Sequence, residues 1–121
     1  MDNVILNLLK LQLQLRILHW QTDKFSEHKA FGKAYEDLDG LIDELVEVHQ
    51  GKYGNITYEA PNIEFVNYGE LLVEEALKEV TDYLSVEFNT LHDSEKDTDC
   101  MNIRDSILAV VNKLKYLLTL K

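Results

Sequence analysis

Residues 26–50, SEHKAFGKAYEDLDGLIDELVEVHQ, decide the fold class. At about 100° per residue, Phe31, Ala34, Tyr35, Leu38, Leu41, Ile42, Leu45 and Val48 fall on one side of a helix and form a core stripe. Ser26 is the expected N-cap, although Lys29 three residues on forms no capping box. Gly51 is the expected stop. Upstream, a first helix is expected from about Asn3 to Trp20, with two apolar stripes on roughly opposite sides. One is Val4, Leu8, Leu11, Leu15 and Leu18; the other is Leu6, Leu9, Leu13, Ile17 and Trp20. Asn7, Lys10, Gln14 and Gln21 lie on one flank between them, and Gln12 and Arg16 on the other. Residues 11–18 also alternate apolar and polar as a strand would, but the helical phase covers the longer span. A helix in a monomeric four-helix bundle needs one buried face, so the second stripe predicts self-association.

Downstream, a third helix is expected from about Gly69 to Leu91, with Leu72, Val73, Ala76, Leu77, Val80, Tyr83, Leu84 and Leu91 inward. A fourth, capped by Asp99, buries Ile103, Ile107, Val110, Val111, Leu114, Leu117 and Leu118. Four such helices make an all-α, antiparallel four-helix bundle the expected fold. Residues 51–68 hold the only proline and form a connection between helices 2 and 3 long enough to cross the bundle.

Composition narrows the function classes. The chain has 121 residues, the size of a single domain, with 45% hydrophobic and 28% charged residues, as in a soluble globular protein. Its formal charge of −10 disfavours DNA, whose backbone is bound by clustered Lys and Arg, and suits the attraction of metal cations. A single Cys100 cannot close an internal disulfide, so a reducing, cytoplasmic setting is expected. Met1 runs into Asp2 and Asn3 without a basic stretch, which argues against a signal peptide, and no apolar run suits a membrane helix.

Enzyme signatures are absent: there is no GxSxG, phosphate-binding glycine loop, HExxH or paired CxxC. No histidine completes a Glu-x-x-His pair, which removes the usual di-iron carboxylate site within one bundle. Cys100 reads as a small buried hydrophobe, and His49 and His92 read as structural. There remains a stripe of His28, Glu36, Asp39, Asp43 and Glu47 facing away from the core, either a solvated face or a metal-binding one. His19 stands nine residues before His28, so a tight turn can bring the imidazoles together. Imidazole with carboxylate suits iron, zinc or manganese. His28 and Asp43 are fifteen residues and therefore about 22 Å apart along a helix. They can share an ion only across a twofold axis, with a second copy of the helix running antiparallel.

Residues 19–47, HWQTDKFSEHKAFGKAYEDLDGLIDELVE, resemble the signature of the Dps family, the mini-ferritins of the ferritin-like superfamily. That signature has a His-Trp pair ending the first helix, a second His opening the next, then an Asp fifteen and a Glu nineteen residues later. The matching positions are His19, His28, Asp43 and Glu47. The resemblance implies a hollow dodecameric homo-oligomer in which two His of one subunit and the Asp and Glu of its twofold mate hold iron. It further implies Fe(II) oxidation, a ferroxidase activity usually run on peroxide, and storage of the mineral. Trp20 resembles the family's radical-scavenging Trp near the site and reads equally as an interface anchor. The chain departs from the pattern at Gly32, where the family commonly has Asp, and Glu36 or Asp39 are candidates for the missing ligand. Its His-to-His segment is about three residues shorter than usual, and no basic N-terminal extension precedes the first helix. Abbreviated chains of this type occur in bacteriophages. The leading expectation is an iron-binding, Dps-like oligomer, a twofold dimer at least, with another divalent metal as an option. The alternative is a non-catalytic helical oligomer that binds a protein or small ligand.

Overall fold

The computed structural model describes residues 1–59, 62–70 and 73–120, and among these the chain forms helices and no strands. The elements are α1 (Asp2–Gln21), α2 (Phe25–Tyr53), α3 (Val73–Asp82), a π-helical turn (Tyr83–Glu87), α4 (Phe88–Leu91) and α5 (Thr98–Leu117). α3, the π turn and α4 follow one another without a break, so the bundle has four rods.

Only three residues separate α1 from α2, which makes them antiparallel neighbours. The end of α2 meets the start of α5 where Lys52 pairs with Asp97 and Asp99. The start of α2 meets the end of α5 where Ala30 and Ala34 adjoin Leu114 and Leu117. Thr81 faces Lys115 and Asn89 faces Arg104, so the third rod is antiparallel to α5 and parallel to α2. The order is therefore up, down, down, up, and the chain between α2 and α3 crosses the bundle.

The core follows the apolar stripes. Val4, Leu8, Leu11, Leu15 and Leu18 of α1 are buried with Phe31, Ala34, Leu38, Ile42 and Leu45 of α2 and Ile103, Ile107, Val111 and Leu114 of α5. The second stripe of α1 stays open: Leu6, Leu9 and Ile17 are half-buried, Leu13 is 42% exposed and Trp20 67% exposed. The flanks of α1 hold its neighbours. Gln14, only 5% exposed, donates to the Val66 carbonyl (2.8 Å) and accepts from the Val66 N–H (2.9 Å), so its amide replaces a missing backbone partner for the crossing chain. Gln21 does likewise for Tyr68 N–H (2.7 Å). On the other flank, Gln12 donates to Asp39 (2.9 Å) on α2.

Several ends differ from the sequence expectation. α2 starts at Phe25 after Lys24, one residue before Ser26, and continues past Gly51 to Tyr53. Gly51 is exposed and tolerated within the helix, whereas Gly54, at φ 87° and ψ 175°, takes an extended positive-φ conformation, open to glycine, that ends it. Gly69 lies in a turn ahead of α3, Leu72 lies outside the described residues, and Leu91 is 44% exposed rather than inward. α5 is preceded by Asp97, not Asp99. Leu84 within the π turn, Phe88 directly after it and His92 at the end of the rod are all buried. Arg104 donates to the Leu84 carbonyl in that turn (2.9 Å) and lies over the Phe88 ring.

Candidate functional site

Two histidine pairs occupy opposite ends of the bundle. At the α1–α2 corner, the Thr22 hydroxyl accepts the Lys24 N–H (3.1 Å) and donates to Glu27 (2.8 Å), which holds the turn tight. The turn stacks His19 on His28 with ring centroids 3.7 Å apart and planes 16° from parallel. Each ring bonds the other residue's backbone: His19 Nδ1 to the His28 carbonyl (2.6 Å) and His28 Nδ1 to the His19 carbonyl (2.8 Å). A carbonyl only accepts, so both Nδ1 atoms carry a proton, and in the neutral rings both Nε2 atoms present lone pairs. Such second-sphere bonding is how proteins prepare imidazoles as metal ligands.

The carboxylates are elsewhere. Asp43 and Glu47 are exposed further along α2 and Asp39 is engaged by Gln12, while Glu36 is exposed and lines the same cleft as His19 and His28. Among the described residues, no carboxylate of the chain joins His19 and His28 in a three-ligand group. Gly32 explains part of the arrangement: a Cβ there would come within 2.9 Å of His19 Cε1 and 3.0 Å of its Nδ1. The imidazole of His19 occupies the space a side chain at position 32 would fill. Tyr35 stands edge-on to His19, with centroids 5.4 Å apart, and the Arg16 guanidinium lies 4.6 Å from the Tyr35 ring centroid; the buried Arg16 Nε has no hydrogen-bond partner among the described residues.

At the far end, His49 from α2 meets His92, which follows α4, and Cys100 from the first turn of α5. His49 Nδ1 and His92 Nε2 are 3.2 Å apart, and one ligand atom from each of the three residues lies within 4.8 Å of the others. Burial, and for His49 also the neighbouring His92, pulls both imidazoles below the usual histidine range, so both are neutral. Burial pushes the Cys100 thiol up. Beside them the buried carboxylate of Asp97 accepts from Tyr53 OH, from the Asp93 N–H (2.8 Å) and from Lys52 Nζ (3.0 Å). Those bonds hold Asp97 well below the usual carboxylate range. Lys52, which also bonds Asp99 (2.8 Å), is held above the usual lysine range. Sequence reasoning set His49, His92 and Cys100 aside separately; they lie on three elements, and no local spacing links them.

The fold and the two histidine pairs define an all-α four-helix bundle with paired imidazoles at both ends. Residues 19–118 match the family of unknown function DUF5856, and the chain belongs to that family. No curated protein and no solved structure matches it. Among the described residues, no helix is long and apolar enough to cross a membrane.

Proposed function

We propose that this chain is a Dps-like, ferritin-like protein that binds iron at a site shared by two copies. His19 and His28 come from one copy, and Asp43 and Glu47 from its twofold mate. The observation that carries this reading is the His19–His28 stack, whose mutual Nδ1–carbonyl bonds leave two free Nε2 atoms and no third ligand from the same chain among the described residues. The up-down-down-up order with one crossing connection supports it, since ferritin-like bundles carry one such connection. So does the open stripe of Leu6, Leu9, Leu13, Ile17 and Trp20, which a mate would cover.

Iron is the substrate. The imidazoles and carboxylates hold Fe(II), and two Fe(II) give one electron each to a peroxide that leaves, with two protons, as two waters. The acid-rich surface draws cations toward the site. A cage and a stored mineral follow from the same resemblance.

Anaerobic Fe(II) titration tests the reading. Wild type is expected to bind stoichiometrically, and His28→Ala and Asp43→Ala to lose that binding. Co-refolding the two variants is expected to recover part of it, because a mixed dimer has one intact site and one doubly broken site. Absence of stoichiometric binding by wild type, or of recovery in verified mixed dimers, refutes the shared site. Replacing Leu13 and Trp20 together by serine is expected to shift the particle toward monomer in light scattering while helicity is retained. An unchanged mass would place the interface elsewhere.

A further inference from the structure

The cluster at the far end is independent of the proposed iron site. We infer that His49, His92 and Cys100 form a second metal site that takes zinc, with a water from the adjoining cleft as fourth ligand.

The geometry of the nitrogens is the first argument. Two nitrogens bound to one tetrahedral zinc at ~2.0–2.1 Å stand about 3.3 Å apart. His49 Nδ1 and His92 Nε2 are 3.2 Å apart. Tautomers are the second. His92 Nδ1 donates to the Phe88 carbonyl (3.1 Å), so its Nε2 presents a lone pair. In the metal-free chain that lone pair accepts the His49 Nδ1 proton. A zinc ion takes the place of this proton, and His49 then carries its proton on Nε2. The sulfur is the third. Cys100 is fully buried with its sulfur within 4.8 Å of a nitrogen of each imidazole, and the metal displaces the thiol proton to solvent.

Donor chemistry selects the ion. Two imidazoles and one thiolate form a borderline-soft set that suits zinc and disfavours magnesium or calcium. Three protein ligands leave one position open. A cleft lined by His49, Tyr53, Thr90, His92 and Asp97 reaches the imidazoles from solvent and provides both the entry path and the water. Zinc with one thiolate keeps one positive charge, and the adjoining Asp97–Lys52–Asp99 group, with one net negative charge, offsets it. The ligands come from α2, the residue after α4, and α5, so the ion ties three rods together.

Cobalt(II) is the probe, added to the chelator-treated, reduced full-length chain. One equivalent is expected to give a thiolate-to-cobalt charge-transfer band and the intense visible bands of a tetrahedral site, both bleached by one equivalent of zinc. Cys100→Ala is expected to lose the charge-transfer band, and His49→Gln to weaken zinc binding by roughly 100-fold or more, beyond the effect of losing a second-sphere partner. His28→Ala is expected to keep the whole spectrum, which separates this site from the one under the proposed function. Zinc is also expected to raise the melting temperature of wild type by clearly more than that of Cys100→Ala. A wild-type spectrum without the charge-transfer band, or equal zinc stabilisation of wild type and Cys100→Ala, overturns the inference.

Discussion

Asp97→Ala is expected to lower the melting temperature by on the order of 10 °C, a large effect for a chain of this size. Asp97 is 1% exposed, and its two oxygens take up three donors from two segments: Tyr53 OH and Lys52 from the end of α2, and the Asp93 N–H from the turn before α5. Alanine removes the shared acceptor of the Tyr53 hydroxyl and the Asp93 N–H, both in part-buried bonds, and a polar group that loses its partner costs more than the bond contributes. Lys52 keeps Asp99 (2.8 Å). Asp97→Asn keeps one acceptor oxygen and is expected to fall between wild type and alanine.

The pH dependence follows from the same contacts. Asp97 is held below its ordinary value, first by the Tyr53 hydroxyl, then by the Asp93 N–H and Lys52. The unfolded carboxylate therefore binds a proton, near pH 3.9, that the folded one refuses. This stability is complete above that range and is lost as pH falls through the folded value. Asp93 and Asp99 are also lowered and act in the same direction. In the metal-free chain His49 and His92 are lowered as well, so a further loss begins as pH falls below about 6.5. Lys52 is raised, and its contribution is lost only as pH rises beyond about 10.4 through its folded value. Thermal unfolding between pH 3 and 8 is expected to show a falling acid limb that flattens in Asp97→Asn. An identical limb in the variant would locate the acid sensitivity elsewhere.

What could be read in the sequence was what depends on periodicity. The stripe Val4, Leu8, Leu11, Leu15, Leu18 is buried along its whole length, and so are Phe31, Leu38 and Leu45 of the α2 stripe. Spacing also placed His19 near His28, because a short turn leaves two helix ends few arrangements. Contacts between distant segments were not legible. Gln12 and Gln14 lie on polar flanks and are buried because one reaches Asp39 and the other Val66, partners that only the fold supplies. Gly51 and Gly54 are the same residue type three positions apart, and only the backbone angle at Gly54 marks the helix end. His49, His92 and Cys100 converge because the 92–97 turn joins the third and fourth rods beside the end of α2.

If His19 and His28 hold iron as proposed, Gly32→Ala is expected to reduce that binding by roughly 10–100-fold, the range for disturbing a partner of a metal ligand. The added methyl would lie 2.9 Å from His19 Cε1, a separation a Cβ cannot hold, so the ring must move. That ring is held by the His28 carbonyl at 2.6 Å and by the stack at 3.7 Å, and moving it breaks the geometry that leaves both Nε2 atoms free. Stability is expected to change little, because alanine gains about 1 kcal/mol of helix propensity over glycine and so offsets the displaced ring. Gly40→Ala is the matched control on the same helix. Nothing lies within 4 Å of its Cβ, so it is expected to gain the propensity and keep wild-type binding. The larger Gly32→Asp is expected to displace His19 further rather than supply the carboxylate that the Dps pattern has at this position. Isothermal titration of the three variants beside wild type separates these outcomes. Unchanged affinity in Gly32→Ala, or tighter binding in Gly32→Asp, would show that His19 does not hold the metal from the position it occupies here.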